Sequence, residues 1–130
     1  LEQALKLGEK AFSSLDDTDV FIEGKTNILN EPEFSNVSRM TDLFRTFEEK
    51  ATMVKLLDKF LDPKGVQIAI GSESQVQEME TCSVVTSTYS FSGEVLGVLG
   101  VIGPRRMNYS RVIPLVGYTA KLLTEILETQ

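Results

Sequence analysis

An α+β fold, an antiparallel-rich sheet with helices packed on it and a long helix at the C-terminal end, is what this sequence predicts. Three observations carry that expectation. Apolar residues recur every three or four positions over residues 36–61 and again over 110–127, which is helical spacing. Two apolar, β-branched runs flank Ser92-Gly93, a two-residue hairpin loop. The order helix, strand, helices, strand, hairpin, helix lacks the strand–helix alternation of a doubly wound sheet.

Taken in order, Leu1, Ala4, Leu5, Ala11, Phe12 and Leu15 sit at helical spacing, interrupted at Gly8. Residues 19–23 (DVFIE) read as a short strand that Gly24 ends. Asn30-Glu31-Pro32-Glu33 has a capping residue, an early proline and an acid three positions on, a helix-start or tight-turn signature. Val37, Met40, Phe44 and Phe47 continue through Ala51, Val54, Leu57 and Leu61 as one apolar stripe. No Gly or Pro interrupts it, so one bent helix and two abutting helices both fit, and Asp62-Pro63-Lys64-Gly65 stops it. Residues 66–70 predict a strand, followed by a turn at Gly71-Ser72-Glu73-Ser74. Around Ser92-Gly93, a simple hairpin register sets Tyr89 against Leu96, Ser87 against Val98 and Val85 against Gly100. The second hairpin strand, residues 94–102, is apolar on both faces, which predicts a central position. Gly97, Gly100 and Gly103 would let another backbone or side chain approach it closely. In the last helix Val112, Leu115, Val116, Thr119, Leu122, Leu123, Ile126 and Leu127 line one side. Pro114 either lies in its first turn or costs it one hydrogen bond.

A length of 130 residues fits one domain, and 42% hydrophobic with 25% charged residues is ordinary globular usage. The 13 basic and 19 acidic residues give a net charge of −6, whereas DNA binding needs a basic face that releases counterions. Any DNA contact must therefore come from another part of the protein. The single cysteine, Cys82, rules out an internal disulfide and, with no signal-peptide pattern, predicts a reducing cytoplasm. No run approaches the ~18 apolar residues of a membrane helix. The chain starts at Leu1 inside a helical pattern without an initiator Met, and so reads as an excised fragment.

There is no histidine, which removes Ser-His-Asp and Cys-His catalysis and His-based metal sites. No catalytic, metal-binding or cofactor-binding residue is assigned, and the chain is not read as an enzyme. Cys82 beside Val84 and Val85 fits a buried small hydrophobe. Gly24-Lys25-Thr26 resembles the end of a phosphate-binding loop, but Asp19 stands where that loop needs its first glycine. The informative segment is the corner that follows the hairpin, where Gly103 and Pro104 turn the chain and Arg106, Met107 and Tyr109 lead into the last helix. These five are the candidate ligand- or partner-binding residues. An arginine beside a helix N-terminus suits an anion or an acidic partner, while Met107 and Tyr109 alone would equally serve as core plugs.

The corner, residues 100–109 (GVIGPRRMNY) followed by 110–116 (SRVIPLV), strongly resembles the HrcA family of bacterial heat-inducible transcription repressors. Residues 24–34 (GKTNILNEPEF), Ile70-Gly71-Ser72-Glu73, and Cys82-Ser83-Val84-Val85 before Tyr89 match the same family in order. Two positions depart: Arg105 stands where the family has a small hydroxyl residue, and Asn108 where it has Asp. The resemblance implies a winged-helix DNA-binding domain that is absent here, a GAF-like domain, and a dimerising segment inserted into it. Residues 1–61 would be the helical, dimerisation-associated part and 62–130 the GAF-like sheet and long helix. It further implies a homodimer that represses chaperone operons from an inverted-repeat operator, kept active by the chaperonin GroE. The alternative is a GAF-type sensor of a small anionic ligand near Arg106, which a thermal-shift ligand screen with Arg106→Ala as control would distinguish.

Overall fold

The computed structural model describes residues 20–24, 27, 31–32, 36–61 and 65–129. The helix expected over residues 1–15, the P-loop-like Lys25-Thr26 and the stop at Asp62-Pro63-Lys64 lie outside them. Three antiparallel strands, β1 (Gln67–Ile70), β2 (Cys82–Phe91) and β3 (Glu94–Pro104), form a sheet in the order β1-β2-β3. Helices α1 (Val37–Glu48) and α2 (Lys50–Asp58) precede the sheet, and α3 (Tyr109–Glu128) closes the chain. This is the predicted α+β class, with the long helix at its C-terminal end.

One face of the sheet belongs to α1 and α2. Met40, Leu43, Phe47, Met53, Leu56 and Phe60 join Ala69, Cys82, Val84 and Val98 in a single buried cluster. Core residues from either side of residue 61 therefore belong to one hydrophobic unit. The other face belongs to α3, whose Leu123 and Leu127 pack on Tyr89 with Leu96 and Leu99. Thr124 Oγ1 also accepts from the Ser90 N–H at 3.0 Å, tying that helix to β2.

The stripe over residues 36–61 resolves into two helices. Asn36 caps α1 by accepting from the Arg39 N–H at 3.1 Å. Glu49 then takes an extended conformation (φ −83°, ψ 98°) and separates the helices without Gly or Pro. Phase explains the break. In a straight helix Met53 would point about 120° away from Phe47, since each residue turns the chain by about 100°. Resetting the phase at Glu49 buries Met53, Leu56 and Phe60 in the core, while of the expected Ala51, Val54, Leu57 and Leu61 only Leu57 packs against that cluster, partly buried. Ala51 and Leu61 are exposed, and Val37, the first residue of the expected stripe, is 78% exposed.

Two expectations for the sheet are corrected. The hairpin keeps its Ser92-Gly93 loop and pairs Phe91 with Glu94, but a bulge at Tyr89/Ser90 shifts the register by one. Beyond it Tyr89 faces Gly97, Ser87 faces Leu99 and Val85 faces Val101. Also, β2, not β3, has strand neighbours on both sides among the described residues. The hydroxyl residues Ser83, Thr86 and Ser87 of β2 are buried accordingly. Of the strand expected over residues 19–23, the described residues 20–23 carry no regular structure, although Val20 and Ile22 pack on the core. An extended segment becomes a strand only when a ladder partner is in register beside it. In α3, Pro114 falls in the second turn, where its missing N–H leaves the Ser110 carbonyl without an intrahelical donor.

Candidate functional site

Three of the motifs that carried the resemblance, at residues 70–73, 82–85 and 100–109, converge on one end of the sheet; most of the fourth, residues 24–34, lies outside the described residues. Gly103 pairs with Ser83 and Pro104 with Cys82 as β3 ends. The Met107 N–H donates to the Pro104 carbonyl at 2.9 Å, making a tight turn with Arg105 and Arg106 at its tip. Arg105 reaches back over Gly71: a Cβ there would lie 3.0 Å from its Cζ, and Gly71 has φ +60°. The next turn is fixed by Glu73, whose Oε1 accepts from the Ile70 N–H at 2.6 Å.

Tyr109, the first residue of α3, bolts this corner to the central strand. Its hydroxyl lies 2.6 Å from the Arg105 carbonyl oxygen and 2.7 Å from Ser83 Oγ. The phenol has one proton, which goes to the carbonyl, so the Ser83 hydroxyl donates to Tyr109 in turn. Ser83 is fully buried and unable to exchange this partner for water. Tyr109→Phe is expected to cost about 1–2 kcal/mol, the usual loss for a buried hydroxyl left without its partner, read from urea denaturation of the two proteins.

A cavity of about 870 Å³ runs along β3. Residues 20–24, Phe47, Met53, Leu57 and Leu61 wall it on the α1–α2 side, and Tyr89, Met107 and Val112 are among its other walls. Of the five candidate residues, Gly103, Pro104 and Met107 line this cavity; Arg106 and Tyr109 do not. Arg106 is exposed at the turn tip. The charged residues of the lining are acidic, Glu23, Glu31 and Asp58, so the field inside does not suit an anion.

Sequence reasoning missed two hydroxyls in this wall, although glycines signalled them. Tyr89 lies across Gly97, where a Cβ would meet the ring, and Thr86 lies across Gly100, where a Cβ would be 2.9 Å from Cγ2. Both side chains are fully buried, and neither Tyr89 Oη nor Thr86 Oγ1 has a hydrogen-bond partner among the described residues.

Burial raises the Cys82 thiol from 9.0 to about 11 and the Tyr89 phenol from 10.0 to about 12, in each case because desolvation disfavours the charged form. A Thr81 hydrogen bond partly offsets the effect at Cys82. Both groups hold their protons more tightly folded than unfolded. Stability is therefore unaffected below pH 9 and falls as pH rises from 9 towards 12. At pH 8 Cys82 is expected to react with iodoacetamide only after denaturant unfolds the chain, as mass spectrometry would show. Among the described residues no group of three or more Cys, Asp or Glu is placed to hold a metal ion, and no helix is long and apolar enough to cross a membrane.

Comparison with known proteins gives this arrangement a family. Residues 1–113 match the model of the HrcA protein C-terminal domain. The heat-inducible transcription repressor HrcA of Geobacter sulfurreducens is 54% identical over 128 residues, 98% of this chain and 37% of that protein. Its namesake in Syntrophobacter fumaroxidans is 47% identical over 97% of this chain, again covering 37% of the relative. In Methylococcus capsulatus the identity is 46%, over 94% of this chain and 36% of the relative. The chain thus spans little more than a third of the length of these relatives. A crystal structure of a hypothetical protein superposes on 98% of the chain with a TM-score of 0.69 at 15% identity, and covers 42% of its own length, which is a likeness of fold. With a matching domain model over most of its length and repressors of that name at about half identity, the chain belongs to the HrcA family of heat-inducible transcription repressors.

Proposed function

We propose that this chain is the regulatory and dimerisation region of a bacterial repressor that negatively controls chaperone operons in the cytoplasm. The observation that carries the reading is the match to repressors along nearly the whole chain. The charge of −6 supports a division of labour in which a separate N-terminal domain meets operator DNA. An inverted-repeat operator is met by a two-fold protein, so the region's task is to hold two DNA-binding arms at a fixed spacing. In this reading residues 1–61 belong to the dimerisation-associated part and 62–130 to a GAF-like part that feels the chaperonin GroE. The turn with Arg105 and Arg106 at its tip is the proposed contact for an acidic partner surface.

The test uses the full-length protein. Light scattering at tens of micromolar should return a dimer, and a mobility shift should show retention of an inverted-repeat operator upstream of a chaperone operon. Added GroE should raise the retained fraction, and an unfolded client protein should lower it again. A strict monomer, or operator binding indifferent to GroE, would count against the reading.

A further inference from the structure

We infer that Ser83 and Tyr109 are positioning residues for the Arg105–Arg106 turn: their hydroxyls hold it in one place for a partner and add little to the stability of the fold. The inference rests on the reading of that turn as the contact for an acidic partner, and extends the site to two residues behind it. Asn108, at the start of α3, gives the helix no side-chain cap; its Oδ1 accepts instead from the Ser110 hydroxyl at 2.7 Å. Tyr109 supplies the fastening that a cap would otherwise give. Its hydroxyl ties the first residue of α3 to the Arg105 carbonyl before it and to Ser83 in β2. Ser83 in turn stands between two strands, paired with Ile70 on one side and Gly103 on the other. The Arg105 guanidinium lies over Gly71, the residue after Ile70. Carbonyl and guanidinium of Arg105 are thus both referred to one position of the ladder.

Stability alone does not call for hydroxyls here. Removing one partner of a buried hydrogen bond strands the other, but replacing both by apolar groups of similar shape is nearly neutral. Ala at Ser83 and Phe at Tyr109 would be such a replacement, and the Arg105 carbonyl, on the exposed side of the bond, would turn to water. What the polar pair adds is direction, because a hydrogen bond fixes distance and angle where an apolar contact can slide. An arginine that meets a carboxylate through two parallel N–H···O bonds needs its guanidinium in one plane and one place. A turn with two arginines at its tip gains from being held in this way.

The test uses the full-length protein carrying Ser83→Ala and Tyr109→Phe together. The urea midpoint should stay within about 0.3 M of wild type. The Met107 amide, which closes the turn on the Pro104 carbonyl, should exchange at least about 10-fold faster, with the amides of β2 unchanged. Affinity for GroE should fall at least about 10-fold. The same two changes added to Arg105→Ala/Arg106→Ala should cost no further affinity, the sign of residues that act through the arginines. Tyr109→Phe alone, which strands the Ser83 hydroxyl, should loosen Met107 equally and also lower the midpoint. An unchanged Met107 amide would overturn the inference. So would a midpoint that drops as far in the double variant as in Tyr109→Phe, or affinity losses that add to those of the arginine variant. Wild-type protein that does not bind GroE would sink the partner reading of the turn, and the Met107 amide would then decide the positioning role by itself.

Discussion

Leu56→Ala is expected to lower stability by about 3–4 kcal/mol, enough to unfold a marginal domain at physiological temperature. Leu56 is 0% exposed and lies in the cluster that joins α2 to the sheet. Deleting its side chain removes the transfer free energy of the buried carbons and leaves a void that close-packed neighbours only partly fill. The check is guanidinium denaturation of the two proteins followed by circular dichroism. Leu57→Ala, one position on and half-buried, should cost about 1 kcal/mol. Comparable losses at the two positions would mean that the phase reset at Glu49 is wrongly placed.

Gly97→Ala is expected to cost about 3 kcal/mol, a large effect for one methyl group. The new Cβ would lie 2.6 Å from Tyr89 Cζ and 3.1 Å from Cε1, well inside contact distance. Tyr89 packs against Leu96, Leu99, Leu123 and Leu127, so the ring can yield only towards the cavity that it walls, at the cost of those contacts. Tyr89→Leu should also be costly alone, yet the double variant should be more stable than the sum of the two losses predicts. A coupling below about 0.5 kcal/mol in that cycle would show that the ring does not cross Gly97.

Much of this architecture was legible from residue patterns. The hairpin strands, the loop between them and the closing helix follow from β-branched runs, Ser92-Gly93 and a long helical period. What the patterns hid was set by tertiary contacts. Glu49 is no helix breaker by type; the break exists because Met53 and Leu56 have more to gain on the sheet than continuous helical bonding would return. The bulge at Tyr89/Ser90 carries no marker residue and moved the register by one. In the corner, the sequence picked out Gly103, Pro104, Arg106, Met107 and Tyr109 as a group, but not that Arg106 and Tyr109 would lie off the cavity, that Tyr109 would be held by Ser83 or that Thr86 and Tyr89 would face the cavity. Those pairings span many residues of sequence, and no local spacing encodes them.

Among the described residues each strand of the sheet bonds only to the strand next to it along the chain, β1 to β2 and β2 to β3. Little loop entropy has to be surrendered before those ladders form. The meander can therefore zip up early during refolding, with the Ser92-Gly93 turn as a natural starting point. The helix corner at Glu49 has no such head start, because only an assembled sheet gives Met53 and Leu56 a surface to turn towards. Docking of that corner is the late event, and substitutions there should quicken unfolding far more than they slow folding.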